Sequence, residues 1–366
     1  MSESGSADTV ASVRDPRERQ AVPLAPLTTL RVGGPAARLV EPADEAEIAA
    51  AVGAADAEGT EVLLLGGGSN LVLSDRGFDG LVVLLRSRGQ IARAADDRVL
   101  LEVAAGEPWD DLVAHTVAEG WAGLECLSGI PGMAGATPVQ NVGAYGQEVA
   151  DTLVSLRVFD RRRGEVLTVP AARCGFGYRH SMLRGNNRYV VLSVTFALRP
   201  GGESAPVRYP ELADLLGVPV ERSAPISAVR EAVLVLRRGK GMVLDPDDHD
   251  TWSAGSFFTN PVLSPTELDG FVERVGPGVR YPHWSTDAGD TKLSAAWLIQ
   301  HAGFSRGYRR GSVGLSTKHS LALTNRGGAS TAELLDLARE IRDGVRDRYG
   351  VTLRPEPLLV GVSLDG

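Results

Sequence analysis

Leu65-Gly66-Gly67-Gly68-Ser69-Asn70-Leu71 breaks off a short apolar strand signal, Val62 to Leu65, with residues that carry no side chain, then a hydroxyl and an amide. Glycines in succession let backbone N–H groups converge on a diphosphate, and Ser69 and Asn70 can add donors. The same character returns in Gly129-Ile130-Pro131-Gly132-Met133-Ala134-Gly135-Ala136, within a stretch from Gly123 to Gly146 that has neither helical nor strand periodicity. Each segment alone is as well explained by a tight turn. Two of them bracketing one mixed α and β region point to a dinucleotide lying between them.

Working outward, Asp44 with Glu47 three residues on reads as a helix start, with Ile48, Val52 and Ala55 on the inner face and Gly59 at the close. Strands follow at Val62 to Leu65, Leu81 to Leu85 and Leu100 to Ala104. Pro108 opens a helix whose inner face is Trp109, Leu112, Val113 and Val117, ended by Gly120. Leu153 to Phe159 and Val166 to Val169 flank the turn Asp160-Arg161-Arg162-Arg163-Gly164, an expected exposed hairpin tip, and Tyr189 to Leu198 is a further strand. A Pro- and Gly-bearing stretch from Pro200 to Pro225 marks a boundary. Beyond it the spacing predicts helices over Ser227 to Arg238 and Lys292 to Ala302 and a strand over Leu321 to Thr324. A last helix starts from the capping box Ser330-x-x-Glu333, with Leu334, Ala338, Ile341 and Val345 as its buried stripe. The class is α+β.

With 366 residues, 43% hydrophobic and 23% charged, the chain is long enough for two or three domains with real cores. A net charge of -8 argues against a broad nucleic-acid surface. Cys126 and Cys174 are the only cysteines and have no metal-ligand spacing, so neither a disulfide framework nor a metal site is expected. Residues 1–21 are polar and read as a disordered lead-in, and no run approaches the ~18 apolar residues of a membrane span. A cytoplasmic, monomeric protein without membrane or nucleic-acid partners is the expectation. The dinucleotide motif G-x-G-x-x-G fails at Leu71, the P-loop fails at Leu234, and H-E-x-x-H and G-x-S-x-G are absent. Asp245-x-Asp247-Asp248-x-Asp250 lacks the glycine and the terminal Glu of a calcium loop and reads as solvated acid.

Three side chains stand out by their neighbours. Ser256 lies beside Phe257 and Phe258, Glu356 is locked between Pro355 and Pro357, and Arg179 follows Tyr178. Spacing alone favours a structural role for each. Taken together, however, Leu65 to Leu71, Gly129-Ile130-Pro131-Gly132, Gln140-Asn141-Val142-Gly143-Ala144-Tyr145-Gly146, Tyr178-Arg179-His180-Ser181, Gly255-Ser256-Phe257-Phe258-Thr259-Asn260-Pro261 and Leu353-Arg354-Pro355-Glu356 resemble the UDP-N-acetylenolpyruvoylglucosamine reductase family. The motifs stand in the family's order and span about Leu24 to Val360.

The resemblance implies an FAD-binding fold of the vanillyl-alcohol-oxidase type, with two α+β subdomains (22–85, completed by 350–366, and 86–225) and a substrate domain (226–349). It implies non-covalent FAD, NADPH as reductant, and reduction of UDP-N-acetylglucosamine enolpyruvate to UDP-N-acetylmuramate for peptidoglycan. Carried over by position, Ser256 is the proton donor, and Arg179 and Glu356 stabilise the enolate-like intermediate. FAD contacts fall on Gly66, Gly67, Gly68, Ser69, Asn70, Leu71, Gly129, Ile130, Gly132, Ala134, Gly135, Ala136, Gln140, Asn141, Gly143 and Ala144. Val207-Arg208-Tyr209-Pro210-Glu211-Leu212 resembles the tyrosine loop of one subclass, placing Tyr209 over the uridine diphosphate with Lys240 and Asn260 as further substrate contacts. The family pattern is shorter where Gly241-Met242-Val243 separates Lys240 from Leu244-Asp245-Pro246. The same fold also accommodates a flavin oxidase that passes electrons to oxygen, or a non-catalytic flavin-binding scaffold; a scaffold is expected to lose one of the three catalytic side chains, and none is lost.

Overall fold

The computed structural model describes residues 18–286 and 288–365. Helix α1 (Glu45–Ala57) carries the chain from the strand Pro35–Val40 to Val62–Leu65, so that both pair in parallel with Phe78–Leu84 between them. Its start is set by sequence: Asp44 Oδ1 accepts from the Glu47 amide at 2.9 Å, and Glu47 Oε2 accepts from the Ala43 amide at 2.8 Å. Ile48, Val52 and Ala55 are buried as expected, but against two sheets at once, since Val62, Leu81 and Val83 share their cluster with Phe159, Val190 and Leu192. The chain is already a strand at Arg19: Arg19–Pro23 pairs antiparallel with Pro35–Val40, so the expected lead-in ends earlier than residue 21. An exposed edge strand is held by backbone pairing and needs no apolar alternation, which is why composition does not show it. Residues 1–17 of that lead-in lie outside the described residues.

The second sheet is antiparallel, ordered Glu165–Pro170, Leu153–Asp160, Tyr189–Pro200, Arg98–Ala104, Gln90–Ala95, with Trp121–Ala122 joined to the end of Tyr189–Pro200. Helix α2 (Trp109–Ala118) buries Trp109, Leu112 and Val113 in this sheet's cluster. Val117, expected on that face, is half-exposed; Thr116 is buried instead, its hydroxyl satisfied by the Val113 carbonyl at 2.9 Å. The arginine-rich turn is more than an exposed tip, because Arg161 grips Asp56 of α1 at 2.6 Å and ties the two sheets together.

Helices α3 (Pro210–Leu216) and α4 (Ile226–Gly239) pack Leu212, Ala213, Val229 and Val233 around Cys126, whose thiol burial pushes up to about 12. The rest of the chain builds the largest cluster from helices α5 (Pro265–Val275), α6 (Ala295–His301) and α7 (Thr331–Tyr349) over two three-stranded sheets. The helix expected from Lys292 begins only after Ser294, whose hydroxyl accepts from the Trp297 amide at 3.2 Å. Lys292 lies in a strand, Thr291–Leu293, paired on both sides by Val262–Leu263 and His283–Ser285. The strand expected at Leu321 to Thr324 runs Leu323–Asn325.

Helix α7 carries the expected capping box at Ser330 and Glu333, and its N-terminus is also anchored on the first half of the chain. Asp75 accepts from the amides of Thr331 at 2.8 Å and Ala332 at 3.0 Å, and the Thr331 hydroxyl donates to the Leu73 carbonyl at 2.6 Å. Asp75→Ala strands those two amides, and we expect it to lower unfolding free energy by ~1–2 kcal/mol, read as a lower denaturant midpoint with an unchanged slope. Finally, Leu358–Val360 pairs in parallel with Leu71–Leu73, which returns the C-terminal chain to the first glycine loop.

Candidate functional site

The two glycine segments meet backbone to backbone. A Cβ placed on Gly67 would lie 2.7 Å from the Gly132 Cα, so only glycine permits the approach. The first loop is held from behind by Arg86, which donates to the Gly66 carbonyl at 2.9 Å, and by Thr29, whose amide donates to the Gly68 carbonyl at 3.1 Å. The second is anchored by Gly132, whose carbonyl accepts from the Trp109 amide at 3.0 Å. Between them opens a cavity of about 410 Å³ lined by Gly66 to Leu71, Ile130, Gly132, Ala136, Gln140 and Gly143.

Arg179, Ser256 and Glu356 line the same cavity although three distant segments supply them. Their relative placement is fixed by main-chain bonds: the Glu356 amide donates to the Phe257 carbonyl at 2.8 Å, and the Thr259 amide to the Arg354 carbonyl at 3.1 Å. Phe257 and Phe258 are fully buried and pin the ladder. Arg179 Nε donates to Glu356 Oε1 at 3.1 Å and Arg179 Nη2 to the Gly143 carbonyl at 3.0 Å. Arg179 is held at φ +50°, a conformation costly for a residue with a Cβ, and its own carbonyl accepts from Arg184 Nη1 at 2.9 Å. Burial raises the Glu356 carboxyl above its ordinary value, while the Arg179 guanidinium pulls against that rise. The result is a half-buried cation and carboxyl in contact at the cavity wall.

Not every expected contact lines this space. Gly129, Ala134 and Gly135 instead anchor the second loop: the Gly129 amide donates to Asp110 at 2.6 Å, and the Ala134 and Gly135 amides donate to the carbonyls of Glu107 and Ala105, both at 2.9 Å. Asn141 is buried, donating to Glu148 at 2.7 Å and accepting from the Ala150 amide at 3.1 Å, and Ala144 sits in a small hairpin with Gln147. Tyr209 and Lys240 are neighbours: Tyr209 packs edge-on against Tyr145 at 5.2 Å, and Lys240 Nζ lies 5.9 Å from the Tyr145 ring and 2.7 Å from Glu211. Burial works against the Lys240 charge, but Glu211 together with Tyr145 and Tyr209 outweighs it and holds the amine above its ordinary value. Asn260 is apart from these two. It caps α6 through the Ala295 amide at 2.9 Å and lines a second cavity of about 900 Å³ on the far side of Arg179 and Tyr178.

Sequence reading missed Thr29, Arg237, Met242 and Ser253, all at the first cavity. Arg237 had one visible sign, its place in Arg237-Arg238-x-Lys240 at the end of an amphipathic helix. Its Nη2 donates to the Met242 carbonyl at 2.8 Å, while its Nε is buried without a partner among the described residues. An orphaned buried donor beside a cradle that a Cβ would fill suits a large anionic group with carbonyl acceptors. The residues present therefore fit a flavin dinucleotide.

Residues 36–170 match the model of an FAD binding domain, and residues 245–360 match that of the UDP-N-acetylenolpyruvoylglucosamine reductase C-terminal domain. The chain is 56% identical over 348 residues to the UDP-N-acetylenolpyruvoylglucosamine reductase of Saccharopolyspora erythraea, covering 93% of this chain and 95% of that one. It is 54% identical over 354 residues to the enzyme of the same name from Streptomyces coelicolor, covering 95% and 91%. Among solved structures it is similar to UDP-N-acetylenolpyruvylglucosamine reductase from Thermus caldophilus, with a TM-score of 0.62 at 26% identity over 94% of this chain and 98% of that one.

Proposed function

Since the chain belongs to the UDP-N-acetylenolpyruvoylglucosamine reductase family, FAD-binding oxidoreductases of peptidoglycan synthesis with an α+β fold, we propose that it uses NADPH to convert UDP-N-acetylglucosamine enolpyruvate to UDP-N-acetylmuramate. One observation carries this reading: Arg179, Ser256 and Glu356, remote in sequence, line one cavity with both glycine loops.

When bound, FAD would supply the two-electron redox chemistry between NADPH and the enolpyruvyl double bond. Gly66 to Leu71, Ile130, Gly132, Ala136, Gln140 and Gly143 hold it non-covalently, with Arg237 as the buried cation nearby. Neither histidine nor cysteine is among the described residues lining the cavity. Gly129, Ala134, Gly135, Asn141 and Ala144 keep that wall in shape. Hydride addition leaves an electron pair next to the substrate carboxylate, which a fixed cation offsets and a positioned donor quenches. Arg179 is the cation, Glu356 holds its guanidinium in place at 3.1 Å, and the Ser256 hydroxyl gives the proton. Tyr209 covers the uridine diphosphate as in the tyrosine-loop subclass, Lys240 brings its charge from Glu211 to the phosphates, and Asn260 contacts the substrate from beyond Arg179. The working unit is a monomer of two flavin-binding subdomains, 22–85 with 350–366 and 86–225, and a substrate domain, 226–349; the edge strand extends the first back to Arg19, and α4, at the start of the third, packs with α3 around Cys126.

The test is anaerobic. NADPH mixed with the flavin-loaded protein bleaches the flavin's visible absorbance, and UDP-N-acetylglucosamine enolpyruvate then restores it. Bleaching without recovery discards this substrate, and a protein that retains no flavin discards the whole reading.

A further inference from the structure

Ser256 Oγ has a partner that the proposed reaction does not yet use. His319 Nε2 lies 3.3 Å from it, and Ser256 lines the cavity while His319 reaches that space through the serine. The imidazole is held on a short loop: the His319 and Lys318 amides donate to Ser316 Oγ at 3.2 Å and 3.0 Å, and the Ser316 amide donates to the Ala322 carbonyl at 2.9 Å. The same loop fixes the serine, because the Phe257 amide donates to the Leu321 carbonyl at 2.7 Å. Hydroxyl and ring are thus carried by two segments bonded to each other.

Burial, with the positive charges of Lys240, Arg237 and Arg306, holds the ring down to about 4, so it is neutral at ordinary pH. A neutral imidazole offers one N–H and one lone pair. If Nε2 accepted, the serine proton would be tied to the ring and withheld from the cavity. If Nε2–H donates to Oγ, the serine O–H is free to turn toward the substrate.

We propose that His319 is a positioning residue that donates Nε2–H to Ser256 Oγ and directs the serine proton into the cavity. The inference rests on the proton-donor reading of Ser256. In that step the Ser256 O–H bond breaks as a C–H bond forms on the substrate carbanion. The O–H electron pair stays on Oγ, where the Nε2–H dipole already points, and a water proton restores the hydroxyl before the next turnover. A donor fixed before charge develops needs no reorganisation during the reaction.

The flavin-loaded enzyme, His319→Leu and His319→Gln are compared in each half-reaction. Leucine should slow recovery of flavin absorbance by the enolpyruvyl substrate ~100-fold and leave bleaching by NADPH unchanged. Glutamine, which keeps an N–H at similar reach, should restore most of that loss. The solvent deuterium isotope effect on recovery should grow in His319→Leu, and His319→Leu added to Ser256→Ala should cost nothing more. Independently of any variant, ¹⁵N NMR of the resting enzyme should show His319 neutral with its proton on Nε2. A proton on Nδ1, equal slowing of both half-reactions, or a glutamine variant as slow as leucine overturns the proposal. If Ser256→Ala recovers at the native rate, the proton-donor reading itself has failed; if only His319→Leu does, positioning alone has failed.

Discussion

Ser256→Ala should leave NADPH bleaching of the flavin at its native rate and slow recovery by the enolpyruvyl substrate ~10³-fold, within the range of a positioned acid's contribution. The substitution removes one oxygen from a segment whose position does not depend on it. Phe257 and Phe258 remain buried together behind the main-chain bonds to Arg354 and Glu356, so Arg179 and Glu356 keep their contact at 3.1 Å. Charge stabilisation therefore survives while proton delivery is lost. Stopped-flow absorbance separates the two half-reactions, and substrate affinity should change little because the hydroxyl acts after binding. Recovery at the native rate, or equal slowing of both steps, would remove Ser256 from the acid role.

Much of this arrangement is legible before folding, and the division follows range. Local signals survive: the boxes Asp44 with Glu47 and Ser330 with Glu333 cap their helices, and the first glycine segment lies where the strand Val62–Leu65 ends. Long-range consequences do not. Lys292 reads as the start of a helix because Ala295, Leu298 and Ile299 follow it, yet its backbone is claimed from both sides by strands up to 30 residues away, Val262 across from it. Asn260 offers a substrate contact by position, and the fold uses its side chain to cap α6. His319 has no motif of its own; its meaning arises only when a loop 63 residues on lies beside Ser256. Arg161 shows the same limit, since a turn rich in arginine looks exposed until Asp56 is brought alongside.

Gly68→Ala should abolish flavin retention, and the reason lies in two effects that can be separated. The residue sits at φ +60°, where a Cβ costs ~1–2 kcal/mol, and a Cβ there would lie 2.2 Å from the Leu27 carbonyl oxygen and 2.7 Å from the Thr28 Cα. Backbone cannot rotate away as a side chain can, so the loop itself must move. That movement breaks the bond from the Thr29 amide to the Gly68 carbonyl, and Thr29 is also the link to the segment that carries Ser256 through its hydroxyl on the Ser253 carbonyl at 2.7 Å. Gly59→Ala is the matched control, because Gly59 has φ +68° and open space around its missing Cβ. It carries the conformational strain without the collision, so it should cost ~1–2 kcal/mol in a denaturant melt and keep its flavin. Flavin in the filtrate after gel filtration, measured beside the melt, reads both variants. If Gly68→Ala kept its flavin as Gly59→Ala does, the loop would have room that the structure denies it, and the close packing of Gly68 on Leu27 and Thr28 would not be what shapes the cradle.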